Sequence, residues 1–261
     1  MTASLHGRVA LVTGATSGTG RQTAIGLARR GARVVAVARD PERGAVAKQT
    51  IRRLSGSDQV ELLVCDLLSQ RSVTQLAEAF RARHDRLDLL VNCASASFRY
   101  RGETEDRVER TFAVNYLSAF LLTTLLLEPL ADAAPSRVVN VVSRAHRTGH
   151  VDLDDLHSVH GYSPSRAHGQ AQLATVLFTY ELACRLDGLG ITVNCVEPPR
   201  AGSIARNVLR VATDPALEQV SAEFFDRWGV QRKTSDESYD PGIAASLWHA
   251  SEDLIRVPAP A

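Results

Sequence analysis

Arg8-Val-Ala-Leu-Val-Thr13-Gly14-Ala-Thr16-Ser17-Gly18-Thr-Gly20 is the stretch whose reading decides the fold. The apolar run Val9 to Val12 fits a strand buried on both faces. Gly14, Gly18 and Gly20 follow, and a segment from about Gly18 to Arg30 reads as a helix stopped by Gly31. Glycines at that joint let the backbone turn tightly and approach a diphosphate, which then rests on the positive end of the helix. The next β-branched run, Arg33 to Ala38, completes a strand–helix–strand unit of the dinucleotide-binding kind.

Working outward, the same alternation continues. Helices are expected around Pro41 to Leu54, Ser69 to His84, Val108 to Leu130 and Arg166 to Leu186. Strands are expected at Val60 to Val64, Leu87 to Asn92, Arg137 to Val142 and Ile191 to Val196. Apolar strands alternating with helices imply an α/β fold, a single-domain Rossmann-type, doubly wound parallel sheet spanning residues 1–261. The segment Pro198 to Pro241 differs, with weak periodicity, a polar run Gln231 to Asp240 and an aromatic cluster of Phe224, Phe225 and Trp228. Ligands of such sheets bind beyond the carboxyl ends of the strands, so residues 198–241 are expected to form a substrate lid; a helical pair packed on the edge of the core is the alternative.

Composition narrows the function. The 261 residues carry 30 Lys plus Arg against 29 Asp plus Glu, a formal charge of +1, which argues against a nucleic-acid binder. An apolar share of 44% with 23% charged residues is that of a globular protein. No run approaches the ~18 apolar residues of a membrane span, and the N-terminus lacks the apolar core of a secretory signal. A cytoplasmic location with no membrane or nucleic-acid partner is therefore expected. Cys65, Cys93, Cys184 and Cys195 are scattered singly, without metal-ligand spacing, and read as free thiols rather than a metal site. Lys48 and Lys233 are the only lysines, so almost nowhere does a lysine stand ready for catalytic work.

With these motifs in place the sequence resembles the short-chain dehydrogenase/reductase family, in particular its retinol-dehydrogenase-like branch. The resemblance runs nearly end to end. It is carried by the glycine motif, Cys65-Asp66-Leu67, Leu87-Asp-Leu-Leu-Val-Asn92-Cys-Ala, Phe112-Ala-Val-Asn115, Val138-Val-Asn-Val-Val-Ser143-Arg-Ala-His146, Val176-Leu-Phe-Thr179 and Leu247-Trp-His-Ala-Ser-Glu-Asp-Leu254. It implies a cofactor site of Thr13, Gly14, Thr16, Ser17, Gly18 and Gly20, with Asp66 at the adenine, Asn92 near the adenosine ribose and Ser203 at the carboxamide. Where NAD-preferring members place an acid, this chain has Ala38 followed by Arg39, so NADP(H) is favoured.

The resemblance also implies catalysis by Asn, Ser, Tyr and Lys. Asn115 and Ser143 match. Before Leu173-Ala-Thr-Val-Leu-Phe-Thr179, however, stands His168-Gly-Gln-Ala-Gln172, with His168 in place of Tyr and Gln172 in place of Lys. Tyr162 lies six residues earlier, about 240° around a helix, and Pro164 suits a helix start, so Tyr162 reads as structural. Other departures are Cys93 and Ser95 in the Asn92-Cys-Ala-Ser95 stretch and Pro199 after Pro198, with Glu197 and Arg200 expected either to pair or to act on substrate. His146 reads as structural. The catalytic set is thus Ser143, His168, Asn115 and Gln172.

These departures favour a non-redox proton transfer (cyclisation, isomerisation or dehydration) on a small apolar, specialised-metabolite or polyketide-like substrate. The alternatives are a divergent NADPH-dependent oxidoreductase with His168 as acid/base, and a non-catalytic cofactor-binding protein. The resemblance implies a homodimer or homotetramer, paired through the helices carrying Asn115 and His168.

Overall fold

The computed structural model describes residues 4–198 and 205–256. Seven parallel strands, β1 (Val9–Val12), β2 (Arg33–Ala38), β3 (Val60–Val64), β4 (Leu89–Asn92), β5 (Ser136–Val141), β6 (Ile191–Val196) and β7 (Glu223–Phe225), form one sheet in the order β3-β2-β1-β4-β5-β6-β7. Val12 pairs with Ala36 on one side and Val91 on the other. The chain thus reverses its direction of strand addition between β1 and β4, and a groove opens there beyond the carboxyl ends. The expected doubly wound sheet is present.

Helices cover both faces: α1 (Gly18–Ala28), α2 (Pro41–Ser55), α3 (Gln70–Arg81), α4 (Arg110–Phe112), α5 (Ser118–Leu125), α6 (Leu127–Asp132), α7 (Pro164–Arg185), α8 (Arg206–Thr213) and α9 (Pro241–Arg256). Local sequence sets their ends. Asp40 caps α2 by accepting from the Arg43 amide at 2.8 Å, Pro41 takes the first helical turn, and Gly56 closes the helix at φ +72°. Ser163 caps α7 in the same way ahead of Pro164. Pro164 is a helix start, as the sequence implied. Among the described residues no helix is long and apolar enough to cross a membrane.

One long helix over Val108 to Leu130 is not what forms. Both Glu109 carboxylate oxygens are engaged at the new start, accepting from the Thr111 and Phe112 amides at 2.9 Å. Ala113–Leu117 then follow as a π-helical turn containing Asn115. A second interruption falls at Leu126, because Pro129 cannot donate to the Leu125 carbonyl.

The expected lid is likewise corrected over most of its length. Helix α8 buries Val208, Leu209, Val211 and Ala212 in the core that also holds Ile25 and Leu27 of α1. Phe224 and Phe225 sit in β7, paired with β6, and are buried. Only Trp228 of the aromatic cluster stands out, 77% exposed. Residues 199–204 lie outside the described residues. The opposite face of the sheet holds α3, α5, α7 and α9. On this side Trp248 of α9 packs on Phe120 of α5 and Phe178 of α7, with ring centroids 4.9 and 6.0 Å apart. The Arg185 guanidinium lies 4.1 Å over the Trp248 ring, and Tyr116 Oη is 2.6 Å from Ser251 Oγ.

Candidate active site

The groove at the β1/β4 reversal has a volume of about 420 Å³. Its floor begins with the loop after β1. Gly14 takes φ +67°, and a Cβ there would lie 2.9 Å from Ala94 Cα; a Cβ on Gly20 would overlap the Gly14 carbonyl. Two strand-end loops therefore touch at a place where a side chain has no room. Ser17 precedes α1 with its hydroxyl unused in capping, and α1 has no acid in its first turn. An unencumbered helix N-terminus beside a glycine turn fits a diphosphate.

The outer end of the groove is ionic. Arg39, Asp40, Arg43 and Asp66 line it together with Cys65. Asp40 is committed to capping α2, and Asp66 accepts from the Leu68 amide at 3.1 Å. Arg43 was not anticipated. The Asp40-Pro41 helix-start signal could have found it, since that signal places Arg43 in the first turn of α2 beside the end of β2. The two guanidinium groups suit a phosphate on the adenosine ribose. The residues present thus fit a phosphorylated dinucleotide.

Two expected cofactor ligands serve the scaffold instead. Thr13 is buried, and its Oγ1 accepts from the Cys93 and Ala94 amides at 2.9 and 3.2 Å, tying the loop after β4 to the loop after β1. Asn92 is buried beneath the groove and donates to Asn140 Oδ1 and Thr123 Oγ1 at 2.9 and 3.1 Å. Thr16, Ser17, Gly18 and Arg39 line the groove as expected, whereas Ser203 lies outside the described residues.

The inner end is neutral and largely apolar, with Phe98, Val114, Val142, Ser143, Gln172 and Pro198 among its lining residues. Ser143 ends the turn after β5 and is held at each polar atom. Its amide donates to Gln172 Oε1, its carbonyl accepts from His146 Nδ1 at 2.7 Å, and its Oγ lies 3.0 Å from His168 Nε2. The turn and α7 meet closely because Gly149 and Gly169 face one another, a Cβ on Gly149 overlapping the Gly169 carbonyl. Ser143, His168 and Gln172 are thereby brought together, as the sequence implied. Burial lowers the His168 pKa, so the imidazole is neutral at pH 7. Its Nδ1 is buried without a partner.

Asn115, expected in the catalytic set, has both polar atoms of its side chain engaged by the protein. Its Oδ1 accepts from Ser95 Oγ and the Ala96 amide at 2.6 and 3.1 Å, while Nδ2 donates to the Ala96 and Thr111 carbonyls at 2.7 Å. It shapes the loop after β4. Tyr162 donates to the Phe98 carbonyl at 2.7 Å, a structural role. Glu197 pairs with Arg227 at 3.8 Å; Arg200, its expected partner, lies outside the described residues. His150 pairs with Glu237 at the surface. Burial pushes the Cys93 thiol up to about 12, so it stays protonated beside the groove.

His146 supplies a pH-dependent contribution. It is fully buried, and burial lowers its pKa to about 4 from the ordinary 6.5. The unfolded chain takes up the proton first, so the stability is present above pH 6.5 and lost as pH falls toward 4, at roughly 1.4 kcal/mol per pH unit. Urea midpoints measured across that window are expected to fall with acid, and the slope is expected to flatten in His146→Gln.

A family model described as short chain dehydrogenase matches residues 8–209. Retinol dehydrogenase 13 of Mus musculus is 36% identical over 288 aligned positions, covering 97% of this chain and 85% of that protein. A crystal structure of an uncharacterized protein from Mycobacterium paratuberculosis superposes with a TM-score of 0.86 at 33% identity, covering 100% of this chain and 97% of that one. The RhlG/NADP active-site complex of Pseudomonas aeruginosa gives a TM-score of 0.71 at 26% identity, covering 92% and 98%.

Proposed function

The chain belongs to the short-chain dehydrogenase family, and on that footing we propose that it is an NADP(H)-dependent oxidoreductase that oxidises the hydroxyl of a small apolar alcohol. The observation that carries this reading is the Ser143 Oγ to His168 Nε2 distance of 3.0 Å at the neutral end of a dinucleotide-shaped groove. A nicotinamide dinucleotide, when bound, supplies the hydride acceptor. Arg39 and Arg43 would hold its phosphorylated adenosine end, and the Gly14 to Gly20 loop would hold the diphosphate.

Ser143 hydrogen-bonds the substrate hydroxyl. With its proton on Nδ1, neutral His168 offers the Nε2 lone pair. The substrate proton passes to Ser143 Oγ as the Ser143 proton passes to His168 Nε2. Burial lowers the His168 pKa, which makes it a weaker base but keeps the resting imidazole neutral at pH 7, the form from which alcohol oxidation starts. The reverse reduction needs the imidazolium and gains rate as pH falls. Phe98, Val114 and Val142 support an apolar substrate.

A second reading, proton transfer without hydride transfer, draws on the same Ser143–His168 pair, which does acid–base work without a dinucleotide. One experiment separates the two. The protein is titrated with NADPH, NADP⁺ and NADH, then incubated with NADP⁺ and apolar alcohols deuterated at the carbinol carbon. Deuterium on the nicotinamide is the expected result. An isomerised or dehydrated product with no label on the nicotinamide supports the second reading, and failure of every dinucleotide to bind refutes the first.

A further inference from the structure

The charge in the groove is divided. Every ionised side chain among its described lining residues, Arg39, Asp40, Arg43 and Asp66, lies at the outer end. A dinucleotide laid with its diphosphate on the Gly14 to Gly20 loop and its adenosine at Arg39 and Arg43 has its other base beside Ser143 and Gln172.

The orientation of Gln172 follows from its partner. An amide N–H only donates, so the atom facing the Ser143 amide is the carboxamide oxygen. The NH₂ group is thereby turned away from Ser143. It is absent from the buried polar atoms without partners, and the residue lines the groove while being 2% exposed. Gln172 thus presents a neutral donor at the inner end.

We infer that Gln172 sets the redox-state preference of the bound dinucleotide. The oxidised nicotinamide ring carries a positive charge and the reduced ring does not. The charge at position 172 therefore acts on one form and spares the other. With a neutral carboxamide there, no fixed cation at that position repels the oxidised form, which is the form that alcohol oxidation consumes. This inference rests on the reading of the groove as a dinucleotide site.

The test is binding alone. Affinities for NADP⁺ and NADPH are measured by calorimetry for wild type, Gln172→Lys, Gln172→Glu and Gln172→Met. A unit charge within about 6 Å of the ring, partly shielded by solvent, moves the affinity ratio about tenfold. Gln172→Lys is expected to weaken NADP⁺ relative to NADPH by that factor, and Gln172→Glu to strengthen it. Gln172→Met loses the hydrogen bond to Ser143 without adding charge, so both affinities fall while the ratio holds. A merely structural role moves all three variants the same way. Ratios unmoved in Lys and Glu, or a shift in Met as large as in Lys, overturn the inference while leaving the dinucleotide site standing. Failure of the wild type to bind either form overturns both.

Discussion

His168→Ala is expected to lower kcat for alcohol oxidation by about 10²–10⁴-fold, the range that a positioned acid–base group contributes. His168 Nε2 lies 3.0 Å behind Ser143 Oγ, and no described residue lining the inner end is a carboxylate or an imidazole that could take the proton in its place. Ser143→Ala is expected to cost a similar factor, since it removes the hydroxyl through which the proton travels. The double variant is expected to be hardly slower than either single one, because two residues acting as one relay lose their function once. His168→Gln separates bonding from titration: it keeps a polar partner for Ser143 yet takes up no proton, and its rate is expected to match that of His168→Ala. Single-turnover rates, with circular dichroism to confirm folding, check all four. Full activity in His168→Gln would refute the relay.

Removing both guanidinium groups in Arg39→Ala/Arg43→Ala is expected to raise the Kd for NADPH about 10²-fold while leaving NADH nearly unchanged. Charge-assisted hydrogen bonds to phosphate contribute roughly 1.5–3 kcal/mol each, and solvent at the groove mouth reduces what both deliver together. The wild-type preference is expected to shrink with added salt, because these charges are exposed. Titration of wild type and variant with both cofactors at low and high ionic strength measures the effect. An equal loss for NADPH and NADH would show that the arginines do not read the ribose phosphate.

The parts of the fold that were legible in the sequence are those with a long local signature. The strand, glycine turn and helix of β1 and α1 announce themselves within a few residues, and the apolar runs of β2 to β6 each show a full buried strand. Strand β7 is only Glu223–Phe225, too short for any period to show, so its aromatic residues read as a lid when they are sheet edge. The π-helical turn at Ala113–Leu117 is invisible for another reason: it changes which carbonyl an amide reaches without changing the order of apolar residues.

In the site, residue types were easier to read than their directions. Thr13 and Asn92 end β1 and β4, where a polar side chain faces either the groove or the layer below. What decides it is distant in sequence: Cys93 for Thr13, Asn140 and Thr123 for Asn92. The spacing of His168 and Gln172 correctly put both on one face of a helix. That Gln172 would be occupied by the Ser143 backbone depends on a partner 29 positions away.

Helix α9 carries a consequence of another kind. A surface sealed by a separate subunit is sealed only above the dissociation constant of the pair, by mass action. Here Trp248 is attached to the same chain as Phe120 and Phe178, and the seal closes at any dilution. The heat-unfolding midpoint is accordingly independent of protein concentration as far as this face is concerned.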